Sequence, residues 1–216
     1  MSYTAERKLL VEFGRRLYEK GFVAGTDGNL SLLVDRDTLL ITPSGAAKGR
    51  MCTDDPVLVN IEGKVLSGKR KPSSEMLLHL FVYKKRPDVK ACCHAHPPYA
   101  TAFSAVRKEL PDNILPEIII SVGRIPLTEY APPGTEAVPK SLEPFVNDYE
   151  AFLLANHGVL TVGRTLDDAF NKMETVEHFA RILYIAAGIG AVSFLEDSEV
   201  RRLEKVRDNL KKGNTS

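Results

Sequence analysis

The chain has 216 residues, 44% of them hydrophobic and 26% charged, with 29 basic side chains against 28 acidic ones. A net charge of +1 excludes the basic surface of a nucleic-acid binder and the acidic tail of a solvating segment, so no nucleic-acid partner is expected. The length can bury a substantial core and suits one domain over residues 1–216, with its core at about 5–195 and a last helix at about 198–211. No apolar run approaches the roughly 20 residues a membrane helix needs, so no membrane partner is expected either. The polar start, Met1 to Lys8, lacks the pattern of a signal peptide. Of the three cysteines, Cys92 and Cys93 are adjacent and would face opposite ways on a strand, a poor disulfide framework. A reducing, cytoplasmic compartment is the expectation.

In chain order, Leu9, Leu10, Phe13 and Leu17 carry the spacing of an amphipathic helix over 4–20, ended by Gly21. Asn29–Val34 and Thr38–Thr42 alternate like a hairpin, and Val57–Ile61 and Lys64–Leu66 flank Glu62-Gly63 as a second. Ser73 or Ser74 is the expected cap of a helix running to about Lys85, where Pro87 stops it. A short buried strand over Val89–Cys93 leads to His94, and a helix covers about Tyr99–Val106. Ile118–Val122 is a β-branched run read as a strand, and Glu136–Val146 as a helix. Strands over Ala151–Leu154 and Val159–Val162 surround Asn156-His157-Gly158. Thr165 caps the longest helix, to about Ala187, with Asp167 and Asp168 in its first turn where negative charge suits the dipole. Hairpins mixed with helices predict a three-layer α/β/α fold with a largely antiparallel central sheet.

Residues 94–101, His-Ala-His-Pro-Pro-Tyr-Ala-Thr, are the most informative stretch. Side chains alternate along a strand, so His94 and His96 share a face, and Pro97 and Pro98 end the ladder there. His157 sits in a tight turn after another apolar strand. Three imidazoles at two strand ends make a three-nitrogen metal site with an open position, the arrangement of catalytic zinc. Lys71-Pro72-Ser73-Ser74-Glu75 places two hydroxyls and a carboxylate at a helix start, and a carboxylate beside a Lewis acid can shuttle protons. His79, one helical turn on, shares Glu75's face and could orient it. The glycine-rich turns Gly25–Asn29 and Thr42–Gly45 let backbone N–H groups approach an anion, with Ser73 and Ser74 as a third wall.

Taken together, Gly25–Ser31, Thr42–Gly45, Lys71–Glu75, His94–Thr101 and Ala155–Gly158 resemble the class II aldolase/adducin family of metal-dependent sugar-phosphate aldolases and epimerases. The pieces occur in family order over about residues 5–195. The resemblance implies a helix-flanked antiparallel sheet and a homotetramer with active sites at subunit interfaces. It implies that His94, His96 and His157 bind Zn2+, or else Mn2+ or Co2+. Glu75 takes the position of the catalytic carboxylate, which also ligates the metal when substrate is absent. Asn29, Ser44, Gly45, Ser73 and Ser74 match the phosphate-binding positions, with Gly28 supplying backbone. The implied reaction is reversible cleavage of a ketose 1-phosphate to dihydroxyacetone phosphate and an aldehyde.

The resemblance departs at two tyrosines. Fuculose-phosphate-type aldolases use one in the segment matching Asn113–Glu117 and one near the C-terminus, and this chain has neither. Tyr130 is the nearest aromatic candidate. Epimerases of pentulose 5-phosphates carry aspartate where Glu75 stands, whereas Gly123–Leu127 looks similar to decarboxylases of 3-oxo acid phosphates. A non-catalytic adducin-like module and a metallohydrolase are the readings from other classes.

Overall fold

The computed structural model describes residues 3–213, with side chains described as far as residue 211. Helix α1 (Thr4–Glu19) buries Leu10, Phe13 and Leu17 along one stripe, and Gly21 closes it at φ 70°, a conformation that costs glycine little. Then come β1 (Asn29–Asp35), β2 (Thr38–Ile41), a 3-10 turn (Lys48–Arg50), β3 (Val57–Asn60), β4 (Val65–Ser67) and α2 (Met76–Lys85). Strand β5 (Ala91–Ala95) leads through Pro97 into α3 (Pro98–Ala105), followed by α4 (Pro116–Ser121) and α5 (Ala137–Leu142). Strands β6 (Ala151–Leu154) and β7 (Gly158–Gly163) precede the long α6 (Leu166–Ile189) and α7 (Asp197–Gly213).

The seven strands form one sheet in the order β4-β3-β2-β1-β5-β7-β6. Among the described residues every ladder is antiparallel, and a single parallel bridge joins Leu127 to Leu153. The alternation of strand side chains sorts the core into two halves. Leu30, Leu40, Ala91, Cys93, Ala95 and Val159 pack against α1, α3, α4, α6 and α7. Leu39, Ile41, Cys92, Leu160 and Val162 pack against α2 and α5 on the opposite face. The three-layer expectation therefore holds.

Parity along β5 does the positioning. Cys92 faces α2, so His94 does too, and β1 pairs with β5 in the register Asn29 to His94 and Ser31 to Cys92. Asn29, Ser31 and His94 are thereby delivered to the α2 face, each buried.

Two local expectations are corrected. Ile118–Val122 is not a strand: Pro116 supplies a helical φ at the first turn of α4, and Ile118, Ile119 and Val122 are buried against α6 and α7. Burial overrides the β-propensity of the run. Nor does a serine cap α2. The residue before the helix is Glu75, which makes no side-chain cap bond, and the Ser73 hydroxyl instead accepts the N–H of Glu75 at 3.2 Å. By contrast, Thr165 caps α6 as its sequence indicates, accepting the N–H of Asp168 at 3.0 Å.

Among the described residues no helix is long and apolar enough to cross a membrane. Cys52, Cys92 and Cys93 are all free thiols.

Candidate metal centre

The three histidines converge. One ligand atom from each of His94, His96 and His157 can be chosen so that all lie within 4.8 Å of one another. His94 is wholly buried at the penultimate position of β5, and its Nδ1 lies 2.9 Å from the Val159 carbonyl. A carbonyl only accepts, so Nδ1 carries a hydrogen, and Nε2 is the nitrogen that faces the centre, bare once the ring is neutral. His96, just beyond β5, is fixed by its own N–H to the Phe22 carbonyl at 2.9 Å. His157 sits in the turn between β6 and β7, following Asn156 at φ 56°.

Glu75 lies between them. Its Oε2 is 3.0 Å from His94 Nε2 and its Oε1 is 3.2 Å from His157 Nε2. Burial alone would raise the Glu75 pKa, but His94 and His157 hold it well below the usual carboxylate range, helped by a hydrogen bond from Asn29. Burial works against protonation of His94, yet the Glu75 carboxylate more than offsets it and raises the pKa above 6.5. For His96 and His157 burial wins, reinforced by the charge on His94, and both fall to about 4.

This donor set fits a divalent ion. The Nε2 atoms of His94 and His96 face each other at 3.2 Å, and Glu75 Oε1 is buried without a hydrogen bond. Facing nitrogens and an orphaned carboxylate oxygen are unfavourable unless a cation, either a proton on His94 or a metal ion, sits among them. Nitrogens each about 2.0–2.1 Å from a tetrahedral ion lie about 3.3–3.4 Å apart, close to the His94–His96 separation.

Two glycines make the convergence possible. A Cβ on Gly158 would lie 2.5 Å from the His96 ring and 2.6 Å from the Ala95 carbonyl. One on Gly28, where φ is +69°, would lie 2.8 Å from the His94 carbonyl.

The structure also brings the three loop segments together. Pro43 and Pro72 form a bridge, flanked by Ser44 N–H to the Lys71 carbonyl at 3.0 Å and Ser73 N–H to the Thr42 carbonyl at 3.1 Å. Ser44, Gly45 and Ser74 are exposed there, whereas Ser73 and Asn29 are buried. Asn29 does not present its amide to open space: Nδ2 donates to Glu75 Oε2 at 2.8 Å. Sequence reasoning missed Lys48, whose fully buried ammonium donates to the Thr26 carbonyl at 3.0 Å and the Ala46 carbonyl at 2.7 Å, clasping two of the loops. No periodicity or motif marks it, because a lysine after Ala46-Ala47 reads as an ordinary surface residue.

Burial lowers the Lys48 pKa to about 8, against 10.5 in an unfolded chain. Between those values the unfolded state binds more protons than the folded one, so stability from this group rises with pH. Lys48→Met should cost about 1–3 kcal/mol through two orphaned carbonyls. The deficit relative to wild type should grow from about pH 8 to 10, which urea unfolding at several pH values will read.

His178 lies on α6, away from the centre, beside a cavity of about 920 Å³ that also meets Tyr99, Glu177 and Arg181. Glu177 was also missed. Its carboxylate accepts the N–H groups of Tyr99 and Ala100 at 3.0 and 2.8 Å, pinning the start of α3 directly after the His96 segment. Tyr130 is half exposed.

Residues 8–184 match the family model described as the Class II Aldolase and Adducin N-terminal domain. The chain belongs to the class II aldolase/adducin family. It is 36% identical to the 3-oxo-tetronate 4-phosphate decarboxylase of Haemophilus influenzae, over 94% of this chain and 98% of that protein. It is 34% identical to the 5-deoxy-D-ribulose 1-phosphate aldolase of Bacillus thuringiensis, over 93% and 94%. A solved L-fuculose 1-phosphate aldolase superposes with a TM-score of 0.86 at 35% identity, over 92% of this chain and 94% of that one. These class II aldolase/adducin relatives are enzymes of two reaction types at similar identity, and the chain spans nearly the full length of each.

Proposed function

We propose that the chain is a metal-dependent carbon–carbon lyase of small phosphorylated sugars or sugar acids, with decarboxylation of a 3-oxo acid phosphate as its reaction. The observation carrying this reading is Glu75, a buried carboxylate held against three converging imidazoles beside loops suited to an anion. His94, His96 and His157 would hold zinc, or else manganese or cobalt, and the ion would supply an electron sink for charge developing on a carbonyl oxygen. Ser44, Gly45, Ser73 and Ser74, with the backbone of Gly28 and Asn29, would seat the phosphate. In a 3-oxo-tetronate 4-phosphate, the bond to the carboxylate breaks and its electron pair stays on the three-carbon fragment as an enediolate. A proton from solvent, relayed through the Glu75 carboxylate, reaches the carbon that lost CO2, giving dihydroxyacetone phosphate.

Aldol cleavage of a ketose 1-phosphate, of the fuculose or 5-deoxyribulose type, leaves the same enediolate and needs the same proton from Glu75. It also needs a base to deprotonate the hydroxyl that becomes the aldehyde. Asn113–Glu117, where such aldolases carry a tyrosine, has none. Decarboxylation needs no such group, and this favours it. The aldolase is the second reading, supported by the 34% identity to the Bacillus enzyme.

We further propose a single domain that works as a cytoplasmic homotetramer. Tyr184, Ile185 and Ile189 leave the outer end of α6 apolar and exposed, a surface suited to a second copy. The test is direct. Zinc-loaded protein is given 3-oxo-tetronate 4-phosphate, fuculose 1-phosphate and 5-deoxyribulose 1-phosphate in parallel, with CO2, dihydroxyacetone phosphate and captured aldehyde as readouts. Stoichiometric CO2 and dihydroxyacetone phosphate are expected. Aldehyde without CO2 moves the assignment to the aldolase, and metal bound without either product supports a non-catalytic module.

A further inference from the structure

Behind Glu75 runs an unbroken buried polar line. Asn29 Oδ1 lies 2.5 Å from His79 Nε2, His79 Nδ1 lies 2.6 Å from Ser31 Oγ, and Ser31 Oγ lies 2.7 Å from the Tyr83 hydroxyl. All of these side chains are buried, in a layer otherwise filled by Leu78, Leu80, Val82, Cys92 and Leu160. Placing them there is costly unless every group is satisfied.

The chemistry fixes the direction of each bond. A carboxylate only accepts, so Asn29 must turn its NH2 to Glu75 and its carbonyl to His79. His79 Nε2 must then carry a hydrogen, and Nδ1, bare in the neutral ring, accepts from Ser31. Ser31, its hydrogen used, accepts from Tyr83. Burial keeps the His79 ring neutral, with a pKa of about 3. The line exists because two periods coincide. Asn29 and Ser31 are two apart on β1, and Glu75, His79 and Tyr83 are four apart along α2, rises of about 6.5 and 6 Å.

We propose that His79 is a positioning residue, acting through Asn29 to fix the orientation of the Glu75 carboxylate. On this assignment one Nδ2 hydrogen of Asn29 serves the carboxylate. The proposal rests on Glu75 as proton carrier. It differs from direct contact between His79 and Glu75, because Asn29 stands between them. The Glu75 carboxylate sets the direction of every bond in the line, and Ser31 and Tyr83 supply the partners that the resulting His79 tautomer needs.

The experiment compares His79→Phe, which removes the donor, with His79→Gln, whose amide can place an N–H near the Nε2 position. In the zinc-loaded enzyme, His79→Phe should lower kcat by about 10–100-fold. KM and competitive inhibition by inorganic phosphate should change less than about twofold, and His79→Gln should recover most of the loss. Adding His79→Phe to Asn29→Ala should cost little more than Asn29→Ala alone, since both cut one line. A rise in KM or a weaker phosphate inhibition constant in Asn29→Ala, with kcat intact, would overturn the assignment. So would full kcat in His79→Phe. Should His79→Phe fail to fold, 15N-histidine spectra of the metal-free wild type decide. A neutral Nε2–H ring with a slowly exchanging proton supports the line, and an Nδ1–H or charged ring removes it. An active Glu75→Gln would sink the reading of Glu75 while leaving that spectrum unchanged, so the two failures are distinguishable.

Discussion

Glu75→Gln should cut turnover by about 10²–10⁴-fold while the protein keeps its metal and its fold. Glutamine matches the shape of glutamate, and its carbonyl can still accept from Asn29 Nδ2, which now stands 2.8 Å from Glu75 Oε2. The three imidazoles are untouched. What is lost is a group that can take and return a proton beside His94 and His157. Steady-state kinetics on the zinc-loaded variant, with metal content measured on the same sample, reads both halves of the expectation. Undiminished turnover would remove Glu75 from the chemistry, whereas loss of metal together with activity would make it chiefly a ligand.

His94→Ala should abolish metal binding and activity together, because His94 is the wholly buried imidazole of the proposed set, with its Nε2 facing both His96 and Glu75. In wild type, zinc at a hundredfold excess over its Kd should add about 2.7 kcal/mol to stability, and His94→Ala should lose that increment. Differential scanning calorimetry with and without zinc measures it. The pKa pattern adds a sign. Glu75 raises the His94 pKa, whereas His96 and His157 sit at about 4, so the proton that the metal-free centre binds most readily is the one on His94. Zinc must displace it. Calorimetric titration in buffers of different ionisation enthalpy should therefore show proton release on zinc binding that grows as pH falls through 6.5, with affinity falling alongside. In the metal-free protein the stability contributed by His94 is complete below the unfolded value of 6.5. It is lost as pH rises through the raised folded pKa.

The sequence made some of this readable for physical reasons. Strand parity put His94 and His96 on one side, and the Gly-containing turn at His157 marked the neighbouring strand end, so the donor set was legible before any fold. The α6 cap was legible too, since Thr165 and Asp168 interact over three residues. What failed was non-local. Ile118–Val122 has the composition of a strand, but its environment, contact with α6 and α7, makes it a helix. Ser73 looked like a cap because the true start of α2, at Met76, depends on Ser73 being held against Thr42. Lys48 and Tyr83 act through partners 22 and 52 residues away, and no window of sequence contains such pairs.

The glycines at 28 and 158 have a consequence for any attempt to evolve this protein. Neither has a side chain to offer a substrate, yet any replacement at Gly158 would push against the His96 ring and the Ala95 carbonyl. In a saturation library both positions should come out as forbidden as the imidazoles themselves. The exposed Ser44 and Ser74 can vary without disturbing the backbone, at the expense of the phosphate seat alone. Diversification toward new substrates has room along the loop rim and almost none beneath it.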